Sequence, residues 1–283
     1  MPTRPANVCS SSRLSSLTRW LQRRPRYHQR GASISTVTSP QATRALRRAP
    51  YVGDVRDDER VVRAAWRSVG GGRAAHVADS VLARHREPHR RYHGVTHVAW
   101  VVRTVDELLP TVGAPGTVDA PVVRAAALFH DAVYDPRRAD NEVASAQLAQ
   151  RVLAEELGWP TARIDTVVRL ILATAGHTLA PDDADTDPAA AVLLDADLGV
   201  LGTSPNVYQA YVDGVRGEYA HVDRAAWCAG RGAVLRAFLD RPWIYTTAAM
   251  RSTREARARA NLEAELAGLT TSCPVDRDPH ADG

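Results

Sequence analysis

The chain has no lysine; all 36 of its basic residues are arginine. That is a bias of coding in a GC-rich genome rather than a chemical signal. The three cysteines, Cys9, Cys228 and Cys273, form no Cys-x-x-Cys pair. They are too few and too scattered for a disulfide framework or a thiolate zinc site. Aromatic residues make up 6% of the chain, so Ala, Val and Leu carry the apolar content, a composition that favours helix. No apolar run approaches the ~20 residues that a membrane span requires, so no membrane partner is expected. There is no alternating strand pattern, no Gly-x-Gly-x-x-Gly and no internal repeat.

Acidic residues are missing altogether from the first 53 positions, which hold ten arginines. The rest therefore carries 26 arginines against 32 acids, and the formal charge of +4 belongs to the N-terminal segment. A mildly acidic remainder argues against a nucleic-acid-binding surface. Residues 1–54 are rich in Ser, Arg, Pro and Thr without apolar periodicity, and are expected to be a disordered basic extension. Their composition also mimics an organelle transit peptide, or reflects a translation start assigned too early; the extension and the early start are the preferred readings. The protein is expected in the cytoplasm.

From Asp57 onward helical spacing dominates. Val61, Val62, Ala65, Trp66 and Val69 share one face, and Gly70-Gly71-Gly72 ends that helix. Further helices are expected over about 75–85, 95–109, 120–130, 141–157, 161–176, 205–221, 223–240 and 248–266. Asp119 is placed to cap one of them, with Pro121 in its first turn. A short apolar segment at 191–194 leads into Asp195-Ala196-Asp197. The fold class is all-α, in a single domain over residues 55–268, followed by a flexible tail at 269–283.

Polar chemistry gathers where these apolar helices begin or stop. One run, Ala125-Ala126-Ala127-Leu128-Phe129, ends abruptly in His130-Asp131, and buried His and Asp need partners. His93 and His97 share a helix face at i, i+4, but without the glutamate of a His-Glu-x-x-His zinc site. His177 closes another helix, and Asp195 and Asp197 bracket the end of a third. Nitrogen and oxygen donors without thiolates suit a divalent ion such as Mn, Fe, Mg, Co, Ni or Zn.

The order His97, His130-Asp131, Asp197 resembles the H…HD…D signature of the HD-superfamily metal-dependent phosphohydrolases. It is closest to a branch with the motifs Tyr92-His93-Gly94-Val95-Thr96-His97, Phe129-His130-Asp131-Ala132-Val133-Tyr134-Asp135 and Leu194-Asp195-Ala196-Asp197-Leu198. Arg137, Asn141-Glu142, Ser145-Ala146 and Glu218-Tyr219-Ala220 continue the likeness, which spans about residues 85–267. The resemblance implies an HD-type helical bundle in which His97, His130, Asp131 and Asp197 hold a divalent metal. It implies hydrolysis of a phosphate ester of a nucleotide or other small phosphorylated metabolite. His93 and His177 are then candidates for a second metal, for substrate phosphate, or for charge stabilisation and proton transfer, beside Asp131. Glu142 is a candidate to position water, and Arg91 and Arg137 are candidates to bind phosphate. Some HD-fold proteins instead hold two irons and perform oxygen chemistry, and a non-catalytic binding module is a third reading. The number of metals and the oligomeric state stay open.

Plainer roles are expected elsewhere. Asp195 reads as a capping acid, and the acidic stretch 181–188 as a solvated loop. His28, His76, His85, His89, His221 and His280 read as surface or capping residues, and Trp227, Trp243 and Tyr245 as core anchors. The arginines of 251–259 read as a solvated helix face.

Overall fold

A computed structural model describes residues 54–113, 116–179 and 186–272. Residues 1–53, most of the acidic loop, His28 and His280 lie outside the described residues. Among the described residues there are ten α-helices and no strand. They are α1 (Val55–Gly70), α2 (Ala74–His85), α3 (Val95–Leu108), α4 (Ala120–Phe129), α5 (Asn141–Arg151), α6 (Thr161–Thr174), α7 (Pro188–Asp197), α8 (Pro205–Glu218), α9 (Arg224–Leu239) and α10 (Ala248–Ser272). The all-α expectation holds. None of the helices is long and apolar enough to cross a membrane. Cys228 on α9 is disulfide-bonded, one bridge rather than a framework.

The helix in the middle is α4. Asp119 caps it by accepting the Val122 N–H at 3.3 Å, and Pro121 sits in its first turn. Its residues Val122, Val123 and Ala125 to Phe129 are all buried. A helix apolar on nearly every side has to be surrounded, and α4 is packed by α1, α3, α5, α6 and α7. Burying each large apolar side chain contributes about 1.5–3 kcal/mol, so α4 is a rigid post whose end cannot drift. α3 is nearly as enclosed, with ten buried residues including His97. α7 buries Ala190 through Ala196 and stops at Asp197, where a 3₁₀ turn, Leu198–Gly202, takes over.

The segment at 191–194 is therefore part of a full helix, started by Asp187, whose side chain accepts the Ala190 N–H. α10 runs to Ser272, past the expected end near Leu266. It lies against the 3₁₀ turn so closely that a Cβ on Gly202 would come within 2.6 Å of Arg254 Cβ. Asp195 joins the two, accepting the Thr246 N–H at 2.7 Å and the Thr247 N–H at 2.6 Å just ahead of α10. It thus anchors the segment that leads into α10 rather than capping a helix. Burial pushes the Asp195 carboxyl up to about 7 against those bonds.

Two further expectations fail here. Trp243 is 52% exposed, lying under the Arg251 guanidinium rather than in the core. Arg254 is buried, its guanidinium over the Trp100 ring, so the arginine face of α10 is not wholly solvated.

Candidate metal centre

Three helix ends meet at one point. His97 stands in the first turn of α3, His130 directly follows α4, and Asp197 is the last residue of α7. One potential ligand atom from each lies within 4.8 Å of the other two, close enough to hold a metal ion. The two Nε2 atoms are 3.2 Å apart, and Asp197 Oδ1 lies 3.3 Å from His97 Nε2 and 3.6 Å from His130 Nε2. Asp131 falls outside this threefold group, yet its Oδ2 is 3.3 Å from His97 Nε2 and 3.2 Å from His130 Nε2.

The donors fit a divalent cation. Ligands about 2.1 Å from an ion are separated by roughly 3.0–3.5 Å along the edges of an octahedron or tetrahedron, which is the spacing seen here. His130 Nδ1 lies 2.9 Å from the Ala127 carbonyl, so that nitrogen carries the proton and Nε2 is left to ligate. His97 Nδ1 is buried without a hydrogen-bond partner. Burial alone would lower His130, but Asp131 and Asp197 outweigh it and raise its pKa well above the usual range. Burial would raise both acids, but His130 and the hydrogen bonds around it hold them well below the carboxylate range. The cluster thus calls for a positive charge between its carboxylates, supplied by a proton when no cation is bound.

His177 joins from the turn after α6, its Nε2 2.7 Å from Asp197 Oδ2. It is the only non-glycine residue with positive φ among those described, at 45°. Such a conformation persists when the surroundings enforce it. Arg241 does so, donating to the His177 carbonyl at 2.5 Å and to the Gly176 carbonyl at 3.3 Å. Glu142 stands in the first turn of α5. Burial pushes its carboxyl up, and Asp131 and Asp197 add to the effect while His177 opposes it.

His93 lies on the other side, its ring centroid 5.5 Å from that of His97. Its Nδ1 is 2.7 Å from Glu218 Oε2. Burial alone would lower the His93 pKa, but Glu218 reverses this and raises it.

The expected phosphate ligands are less engaged. Arg91 is exposed, its stem lying across Gly217 of α8, and Arg137 is exposed beyond the post-α4 turn. The structure brings neither guanidinium into a bond with the cluster.

Five further residues stand at the site in ways that their place in the sequence did not show. Arg90 is buried and donates to the carbonyls of His93 at 3.0 Å, Asp131 at 2.7 Å and Ala132 at 3.3 Å, tying the entry of α3 to the turn after α4. Nothing local distinguishes it from Arg91. Glu218 accepts the backbone N–H groups of Arg91, Tyr92 and His93 and the Tyr134 hydroxyl. In the sequence it was one residue of the Glu218-Tyr219-Ala220 stretch, and an acid at a helix C-terminus, where the macrodipole disfavours it. His85, expected at the surface, is buried, and neither of its ring nitrogens makes a full hydrogen bond. Of the motif residues after His130-Asp131, Asn141 bonds the backbone of Asp135 through both ends of its amide, and Ser145 bonds that of Val133. They fix the turn on which Asp131 stands.

Compared with protein-family models, with curated proteins and with solved structures, the chain matches none.

Proposed function

We propose that the protein is a metal-dependent phosphohydrolase acting on a phosphate ester of a nucleotide or another small metabolite. The observation that carries this reading is the convergence of His97, His130 and Asp197 from three helix ends, with Asp131 against both imidazoles. The ordered motifs that resemble the HD phosphohydrolases supply the reaction class. His97, His130, Asp197 and Asp131 would hold the ion. A divalent ion so bound supplies a water acidified towards neutral pH and a Lewis acid for a phosphoryl oxygen.

The chain's own groups complete the reaction. Asp131 would orient such a water and accept its proton on the way to solvent, with Glu142 the further candidate to position it. As the new P–O bond forms, the ester P–O bond breaks and its electron pair stays on the leaving oxygen. His93, held in its protonated form by Glu218, gives that oxygen a proton and recovers one from solvent. Arg91 and Arg137, both exposed, stay candidates to bind phosphate.

The test is metal analysis of the purified chain together with turnover of phosphomonoester and phosphodiester panels, with Asp131→Ala as control. A protein that binds no divalent metal and shows no metal-dependent turnover sinks the proposal. A second reading, oxygen chemistry at two irons, draws on His177, which brings a third imidazole to Asp197. Iron-loaded protein examined by Mössbauer spectroscopy for a redox-active pair separates the two.

A further inference from the structure

The inward stripe of α8 is Tyr208, Tyr211, Val215 and Glu218, at helical spacing. Gly214 lets this helix approach the entry of α3, since a Cβ there would lie 3.1 Å from Tyr92 Cβ. Tyr211 is therefore carried to the edge of the candidate metal centre. Its ring centroid is 4.7 Å from that of Tyr92, which is 4.8 Å from that of His97. The Asp197 charge also acts on the Tyr211 phenol, so the two are within electrostatic reach. Tyr211 is half-buried, and part of it stays open.

A buried network fixes it from behind. Arg231 is 6% exposed and donates to Glu265 through Nε at 2.7 Å and Nη2 at 2.9 Å. Its Nη1 donates to the Tyr211 hydroxyl oxygen at 3.0 Å. The neighbouring Tyr208 hydroxyl donates to Glu265 Oε2. The Tyr208 proton thus has an acceptor, and the Tyr211 proton has none among the described residues. A guanidinium bonded to a phenol oxygen polarises its O–H and makes it a better donor. We propose that Tyr211 binds substrate, its O–H donating to a non-bridging phosphoryl oxygen of the ester at the metal centre. Arg231, held by Glu265, is the positioning residue that turns this proton outward. The inference rests on the phosphohydrolase reading. Phosphoryl oxygens need donors, and the ionised Asp131 and Asp197 beside them only accept. Tyr211 supplies a neutral donor, because Glu265 already offsets the Arg231 charge. It keeps its proton throughout, and no bond of the ester forms or breaks through it.

Tyr211→Phe removes one oxygen and keeps the ring, so it separates phosphate binding from support of the fold. Inorganic phosphate is titrated calorimetrically into the full chain loaded with Mn²⁺. Its Kd should rise about tenfold in the variant, the effect of losing a hydrogen bond to a charged group. The Kd of Mn²⁺ for the metal-free chain should stay that of wild type. On any phosphomonoester or phosphodiester that wild type turns over, KM should rise by a similar factor with kcat little changed. That is the pattern of a bond made to the bound substrate and kept in the transition state. Equal phosphate affinity in the two proteins, with an active wild type, overturns the inference and leaves the phosphohydrolase reading intact. So does a variant that loses as much affinity for Mn²⁺ as for phosphate, because Tyr211 then only supports the cluster. A wild type without metal-dependent hydrolysis overturns both. Should Tyr211→Phe not fold, a crystal structure of the Mn²⁺-loaded wild type with inorganic phosphate decides. Tyr211 Oη is expected within about 3.0 Å of a phosphate oxygen. A phosphate out of its reach, or none bound, overturns the inference.

Discussion

Two histidine–carboxylate clusters adjoin each other in this protein and are bonded in opposite ways. Around Glu218 every donor meets an acceptor: five hydrogen bonds converge on one carboxylate. Burial would push that carboxyl up, but His93 and the backbone N–H groups hold it down at about 2. Around His97 and His130 two ligating nitrogens face each other at 3.2 Å, two carboxylates press on both, and His97 Nδ1 has no partner. Buried polar groups that serve the fold are satisfied by the fold, and exceptions call for an explanation. The first cluster is finished by the protein. The second is left unfinished by it, and the two are expected to respond differently to substitution.

Removing a ligand from the unfinished cluster has the largest effect. Asp131→Ala is expected to lower metal-dependent turnover by about 10³-fold or more, roughly 4 kcal/mol of transition-state stabilisation. Far-UV circular dichroism should stay unchanged, because Asp131 holds no helix together. Retention of even a tenth of the activity would erase the distinction between the clusters. The finished cluster behaves in the reverse manner. Glu218→Gln leaves its donors facing a neutral amide, and urea unfolding should show a loss of about 3 kcal/mol. The sign of its pH dependence follows from a folded pKa below the ordinary value of 4.5. The stabilisation is complete above pH 4.5 and is lost as pH falls through about 2. Wild type should therefore lose its advantage over Glu218→Gln across that window, and parallel acid profiles would contradict the assignment.

The contrast also marks what could be seen in the residues alone. The cap at Asp119, Pro121 in the first turn and Gly71 at φ 58° give the helix boundaries directly. His97, His130 and Asp197 were legible through the ordered motifs that resemble the HD phosphohydrolases; their position at helix ends alone offered His93 and His177 as well. Glu218 entered only within a motif stretch, with no role, and Arg90 did not enter at all. Glu218 bonds Arg91 and His93 across 127 and 125 positions, and Arg90 reaches Asp131 across 41. Periodicity reports which face of a helix is buried, not what a polar side chain meets across the bundle. Trp243 failed for a related reason: apolar content predicts burial only when an element carries the residue inward, and it sits between α9 and α10.

Metal addition sharpens the comparison at a smaller energy. A ligand at 100 times its Kd stabilises the folded state by about 2.7 kcal/mol. Zn²⁺ or Mn²⁺ should raise the Tm of wild type and of Glu218→Gln by similar amounts, and leave Asp197→Ala where it was. Equal shifts in all three, followed by differential scanning fluorimetry, would place the bound ion elsewhere.

His85 gives the smallest effect at neutral pH and belongs to neither cluster. It closes α2 and is 3% exposed; neither ring nitrogen makes a full hydrogen bond, the Leu128 backbone offering only a weak one. Burial first, and Arg90 second, lower its pKa from 6.5 to about 3, so the ring is neutral at pH 7. A buried polar group with no partner costs about 1–3 kcal/mol, so exchange for an apolar group of similar size should gain rather than lose. His85→Leu is expected to match wild type or exceed it by about 1 kcal/mol in urea unfolding at pH 7.5. Because the folded pKa lies below the unfolded one, His85 contributes stability that is fully present above pH 6.5 and is lost as pH falls through about 3. The variant should therefore resist acid better, with an unfolding free energy that falls less steeply below pH 6.5 by about 1.4 kcal/mol per pH unit. A loss of several kcal/mol at pH 7.5 would mean that this imidazole has a partner after all, and that His85 is bonded into one of the clusters it borders.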